Sequence, residues 1–256
     1  MKKAMLMTAL LFAAALVLTS AARASENETG QVPMSAMTAA QLEQQGDDLR
    51  AQKDYTEAIH YYEAAVKKDP SSSMLYNKLG IVQLRINRLD EAEANLQKSV
   101  KLNSKNDHAL NNIGVIAFER KNYSRAAKYY KKALAIDETN AVYHSNLGTA
   151  WFEQKKDDRA MAEYYRAIEL DPEIFMHANQ VGSVARIAGA EDRAKYEFML
   201  AKMYAQHGDL ENSIHWLQKA KEDGYTSMQD VYKDGEFAKL RQDPRLTQIV
   251  PPGAGF

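Results

Sequence analysis

The sequence predicts an all-α chain, a solenoid built from antiparallel helix pairs. Three observations lead there. First, columns of like residues recur every thirty-four positions: Gly46, Gly80, Gly114 and Gly148; Ala58, Ala92, Ala126 and Ala160; Gln45, Leu79, Ile113 and Leu147; Asp69, Asn103, Asp137 and Asp171. Second, a large column (Tyr62, Leu96, Tyr130, Tyr164) runs beside a small one (Ala65, Ser99, Ala133, Ala167). Small residues at a crossing let two helices approach closely, and the large residue fills the wider space one turn away. Third, Pro and Gly are sparse, at 6 and 12 of 256 residues, which argues against a loop-rich all-β fold.

The elements follow in order. Lys2 and Lys3, the apolar run from Ala4 to Leu18 and the small-x-small site Ala22-Arg23-Ala24 read as a secretory signal peptide over residues 1–24. The apolar run is shorter than the roughly 20 residues of a spanning helix, so cleavage after Ala24 is expected rather than an anchor. Residues 25–38 lack periodicity and read as a flexible linker. Four units follow at 39–72, 73–106, 107–140 and 141–174, each a helix, a short turn and a second helix. In the third, Asp107 is the expected cap of a helix over 108–120, and Asn122 of one over 123–136. Asp54 and Glu57 have capping-box spacing, and Pro70 and Pro172 fall where second helices must stop.

After the fourth unit every column shifts by 53, giving Ala201, Tyr204, Gly208-Asp209, Ser213 and Ala220 as a fifth, degenerate unit over 194–225. The nineteen extra residues, 175–193, are expected as a partly ordered loop or short extra helix. Residues 226–256, with Val231, Phe237, Leu240, Leu246 and Ile249 and the helix-start pair Asp243-Pro244, are expected to cap the array. A single pair cannot bury enough surface to offset the cost of ordering its backbone, so the units must stack.

With Leu79-Gly80, Ile113-Gly114 and Leu147-Gly148 in first helices, then Ala-aromatic-Ala, then Asp-Pro or Asp-Glu, the chain resembles the tetratricopeptide-repeat family over residues 39–174. The resemblance implies a right-handed superhelix whose concave side is lined by first helices, and a non-catalytic protein-binding role. Positions two, five, nine and twelve of a unit share that helix face. In units two to four the face holds Met74, Asn77, Ile81 and Leu84; His108, Asn111, Val115 and Phe118; and Val142, Ser145, Thr149 and Phe152, flanked by Asn112 and Asn146. The expected partner-binding set is Asn77, Ile81, Leu84, His108, Asn111, Asn112, Val115, Phe118, Ser145, Asn146, Thr149 and Phe152. For Phe118 and Phe152, packing between neighbouring repeats is an equal alternative. Family members that clamp a terminal carboxylate use cations at set positions. Glu43, Asp47, Lys78, His108 and Asn112 in units one to three, and Asn77, Ile81, Asn112, Val142 and Asn146 in units two to four, lack those cations.

Signs of catalysis are missing from the sequence. It has no cysteine, no GxSxG elbow, no Walker loop, no GxGxxG and no HExxH among its six histidines, so no catalytic residue, metal ligand or cofactor is assigned. Removing residues 1–24 leaves a net charge of −4 (30 cations against 34 acids) with no basic cluster that stands out. That speaks against nucleic acid, or an anionic lipid surface, as the main partner. The expectation is an exported bacterial scaffold, periplasmic or secreted, with no stable membrane insertion after signal cleavage. It would bind a protein or peptide segment. The alternatives are a self-associating structural element, or an enzyme or small-molecule carrier using 175–193.

Overall fold

The computed structural model describes residues 33–176 and 190–253. The expected signal peptide, residues 25–32 of the expected linker and residues 177–189 of the expected insertion lie outside the described residues.

Eleven α-helices and no strand occur among the described residues: α1 Ala39–Ala51, α2 Tyr55–Lys68, α3 Ser73–Arg85, α4 Leu89–Leu102, α5 Asp107–Glu119, α6 Tyr123–Leu134, α7 Ala141–Phe152, α8 Asp157–Leu170, α9 Ala190–His207, α10 Leu210–Glu222 and α11 Pro244–Ile249. Short 3-10 segments lie at Met34–Ala36 and between α10 and α11. The chain divides into two compact units, with the boundary between Asn95 and Leu96 inside α4.

In the first unit α1 packs on α2, and α2 on α3. Thr38 opens α1 with a reciprocal capping box: its hydroxyl accepts from the Gln41 N–H at 3.3 Å, and the Gln41 amide oxygen accepts from the Thr38 N–H at 2.9 Å. Met37 just before the cap packs against the cluster of Leu42, Ala65 and Leu75, at hydrophobic-staple spacing from Leu42. Lys68 Nζ also donates to the Ser35 carbonyl at 2.9 Å. Residues 33–38 are therefore built into the fold, where a flexible linker was expected. A six-residue segment is too short to show a period, and its anchors are two methionines. Asp54 accepts from the Glu57 N–H at 3.2 Å and opens α2.

In the second unit α5 to α10 pack pairwise in chain order. The cap of α5 is Asn106, not Asp107: its side chain accepts from the Ala109 N–H at 3.1 Å while its amide donates to Ser99 Oγ at 2.9 Å. Asn and Asp cap almost equally well, so adjacent Asn-Asp fixes the start only to within one residue, and only Asn106 can also donate to Ser99. Asn122 caps α6 through the Arg125 N–H at 3.1 Å. α9 begins at Ala190, four residues ahead of the expected fifth unit, since Ala-Glu-Asp-Arg carries no helix breaker. Beyond α10, Val231, Phe237, Leu240, Leu246 and Val250 are buried against Phe198, Leu217 and Ala220. Arg245 donates to both Glu211 oxygens at 2.8 Å, tying α11 to α10.

The close crossing is geometric fact. A β-carbon on Gly46 would lie 2.7 Å from Tyr62 Cε1; on Gly114, 2.5 Å from Tyr130 Cε1; on Gly148, 2.5 Å from Tyr164 Cε1. Each of these rings is fully buried. In the fifth pair Ala201 and Leu217, both 0 % exposed, stand in the glycine and tyrosine columns, and Ser213 Oγ donates to the Ala201 carbonyl at 2.8 Å.

The turn inside each pair repeats as well. Lys53, Asn87, Lys121 and Lys155, one per unit, have φ of 65°, 62°, 58° and 58°. The N–H of the next residue reaches back along the helix: Asp54 to Leu49 O at 2.9 Å, Asn122 to Ala117 O at 2.8 Å, Lys156 to Trp151 O at 3.0 Å. These are Schellman closures, which favour glycine at the left-handed residue. The fifth pair has it: Gly208, φ +93°, with Asp209 N–H to Tyr204 O at 2.9 Å. Lys121→Gly is therefore expected to raise stability by about 0.5–1 kcal/mol, because a β-carbon in that conformation costs roughly 1–2 kcal/mol and glycine's chain entropy returns part of it. Urea unfolding measures this, and a loss of stability would contradict the assignment.

Candidate partner-binding surface

The face expected to bind a partner differs between helices. On α3, in the first unit, Asn77 is buried while Ile81 and Leu84 are half-buried, and Met74 is 51 % exposed. On α5, His108 is exposed but Asn111, Asn112, Val115 and Phe118 are all buried. On α7, Ser145, Asn146, Thr149 and Phe152 are buried, none more than 1 % exposed.

The buried members have packing partners. Asn146 Nδ2 donates to Asn111 Oδ1 at 2.9 Å, linking α7 to α5. Thr149 Oγ1 donates to the Ser145 carbonyl at 2.9 Å and accepts from the Tyr164 hydroxyl at 3.2 Å. Phe118 lies 5.0 Å from the Tyr123 ring, and Phe152 packs edge-on to Tyr196 at 5.8 Å. For both phenylalanines the structure shows packing. His108 Nδ1 lies 2.8 Å from the Tyr143 hydroxyl, which donates to Asp107 at 2.8 Å. Of the twelve expected residues, Ile81, Leu84 and His108 retain appreciable surface.

The first unit surrounds Ile81 with charge. α1 presents Glu43, Asp47 and Arg50, and α3 presents Lys78 and Arg85. Lys78 Nζ lies 2.6 Å from Glu43 and 2.5 Å from Asp47, and Asp47 also accepts from the Tyr62 hydroxyl at 2.7 Å and contacts Arg50 at 3.4 Å. Burial raises the Asp47 pKa, but hydrogen bonds from Lys78 and Tyr62 outweigh it and hold the carboxyl below its usual range. The same burial and carboxylate push the Tyr62 hydroxyl up, so it stays a donor. Both carboxylates of this network are therefore paired within it.

One turn further on the situation changes. Arg50, Ala51, Tyr55, Ile81 and Arg85 line an open groove of ≈ 220 Å3. Its lining has two guanidiniums and no acid. Arg85 makes no ion pair among the described residues, and the buried Nε of Arg50 finds no acceptor there. Of these five residues, only Ile81 belongs to the expected set. Arg50 is position twelve of unit one, so the same helical rule, applied to that unit, finds it.

No group of His, Asp or Glu suited to a metal ion occurs among the described residues. His144 serves packing: its ring nitrogens lie 2.7 Å from Glu163 and 3.0 Å from the Glu138 carbonyl. No helix among the described residues is long and apolar enough to cross a membrane.

No curated protein matches the chain. Among solved structures it is similar to a MamA protein, at 20 % identity over 77 % of this chain and 95 % of that one, TM-score 0.51. MamA from Desulfovibrio magneticus RS-1 compares at 17 % identity, 72 % and 93 % coverage and TM-score 0.52. TTC0263, a thermophilic TPR protein of Thermus thermophilus, compares at 18 %, 83 % and 98 %, and 0.51. At such identities the likeness is one of fold. Family models described as tetratricopeptide repeat match residues 43–107, 77–141 and 141–174, which together span half the chain and follow the register of the columns. With glycine against tyrosine at the crossings and a left-handed turn in every pair, the chain belongs to the tetratricopeptide-repeat family, whose helix pairs are protein–protein interaction scaffolds.

Proposed function

We propose that this protein is a non-catalytic docking scaffold of the bacterial cell envelope, and that a partner segment seats on the α1–α3 face of the first unit. One observation carries the reading. Ile81 remains accessible in a groove that Arg50 and Arg85 also line, whereas Val115 and Thr149 at the same register of α5 and α7 are 4 % and 1 % exposed. An apolar partner side chain fits against Ile81, Ala51 and Tyr55, and partner carbonyls or carboxylates meet Arg50 and Arg85. Affinity comes from a few such anchors rather than from area. The envelope location rests on the basic start, apolar run and cleavage site read in residues 1–24.

The test is affinity purification from envelope fractions with the mature chain and with Ile81→Glu. A charge at a half-buried groove position is expected to reduce recovery of a specific partner at least about tenfold, equivalent to 1.4 kcal/mol or more. Circular dichroism should be unchanged. Equal recovery by the folded variant would remove the groove from the account. Fractionation of tagged full-length chain into the cytoplasm would remove the envelope.

A further inference from the structure

The second unit carries a surface that whole-chain charge conceals. Between Arg120 and Ile136 the sequence has six cations (Arg120, Lys121, Arg125, Lys128, Lys131 and Lys132) and no acid, which corrects the expectation that no basic cluster stands out. On α6, Lys128, Lys131 and Lys132 line one stretch of the helix, Lys131 and Lys132 exposed. Neighbouring elements add to them. Lys131 Nζ lies 4.8 Å from the Trp151 ring centre, Lys156 Nζ 4.7 Å and the Arg159 guanidinium carbon 5.2 Å, so three cations from α6, the α7–α8 turn and α8 converge on one indole. Beside them Lys132 and Arg125 flank the Tyr129 ring at 5.0 and 5.5 Å.

Like charges brought together on one ring repel unless an anion intervenes. By contrast, the two cations against Phe152 are neutralised: Lys155 and Lys195 pair with Asp192 and Asp157. Lys131 and Arg159 pair with no acid among the described residues, and Lys156 reaches only the Gln154 amide oxygen at 2.8 Å. We infer that the Trp151 cluster is a docking surface for an acidic protein segment with two or more adjacent carboxylates, distinct from the α1–α3 groove. Carboxylates spaced along a peptide match cations that converge at one point and continue along α6. A lipid bilayer is the poorer fit, because Trp151 is 8 % exposed and ringed by charge, leaving no aromatic free to insert.

Trp151 is its own reporter, since the chain has 2 tryptophans and Trp216→Phe leaves one. The mature Trp216→Phe chain is titrated with a glutamate-rich decapeptide, with the same peptide having glutamine for glutamate, and with phosphatidylglycerol vesicles. The acidic peptide is expected to shift Trp151 fluorescence saturably, and its affinity should fall several-fold as salt rises from about 0.05 to about 0.3 M. A Lys131→Gln, Lys156→Gln, Arg159→Gln variant should lose at least about tenfold in affinity while keeping its circular dichroism and melting temperature. Lys219→Gln with Lys221→Gln on α10 should change affinity less than about twofold. No saturable binding, equal loss in both variants, or binding to vesicles without binding to the peptide would overturn the inference.

Discussion

Tyr130→Ala is expected to lower the free energy of unfolding by about 3–5 kcal/mol, the cost of emptying a fully buried aromatic site. The ring is 0 % exposed and stacked over Gly114, where α5 and α6 cross. Its hydroxyl is buried without a hydrogen-bond partner among the described residues, and burial pushes its pKa far up, so it is neutral. Tyr130→Phe should therefore leave stability unchanged or raise it by up to about 1 kcal/mol, because an unsatisfied buried hydroxyl is a cost. Tyr164→Phe should instead lose about 0.5–1.5 kcal/mol, since that hydroxyl donates to Thr149 at 3.2 Å. Urea denaturation of the three variants separates ring from hydroxyl. A Tyr130→Phe loss as large as that of Tyr164→Phe would contradict this description of the Tyr130 site.

Gly148→Ala is expected to cost about 1–3 kcal/mol, large for one methyl group. The added carbon would lie 2.5 Å from Tyr164 Cε1 and 3.2 Å from the Ala160 carbonyl. The ring cannot swing aside easily, because Phe175 and Tyr196 pack edge-on to it at 5.5 and 5.4 Å. Replacing Tyr164 with leucine should relieve the clash, so the double variant Gly148→Ala, Tyr164→Leu should be more stable than the sum of the two losses by about 0.5–3 kcal/mol. The fifth pair already holds that combination, Ala201 with Leu217. Strict additivity in urea melts would show that the glycine and tyrosine columns do not act as one packing unit.

These crossings were the most legible part of the sequence, because a small residue against a large one leaves a mark at every repeat. Turn and cap chemistry was legible in part. Asn122 and Asp54 announced their helices, while Thr38-x-x-Gln41 is a capping-box signature that sat in a segment read as linker. Capping at Asn106 rather than Asp107 goes with a side-chain hydrogen bond to Ser99, seven residues back. The candidate surface was less legible. Helical period gives the direction in which Ile81, Val115 and Thr149 point, but not how much packs onto that face, and the three differ widely in exposure. Arg50 and Arg85 come from two helices, and nothing local in sequence announces that they line one groove with Ile81. The basic run of α6 stood in plain view, yet a whole-chain net charge of −1 (33 cations against 34 acids) masked it, and its convergence with Lys156 and Arg159 on Trp151 needed the fold.

Site-specific photo-crosslinking reads directly whether a partner segment sits at the α1–α3 groove. Benzoylphenylalanine placed at half-buried Leu84, three residues from Ile81 on α3, and separately at exposed His60 and Lys67 on α2, is irradiated in intact cells producing the full chain. A discrete adduct is expected from Leu84 that disappears in the Arg50→Glu, Arg85→Glu background, with none from His60 or Lys67. Adducts of equal yield from the α2 positions, or a Leu84 adduct that survives loss of both arginines, would contradict docking at this groove.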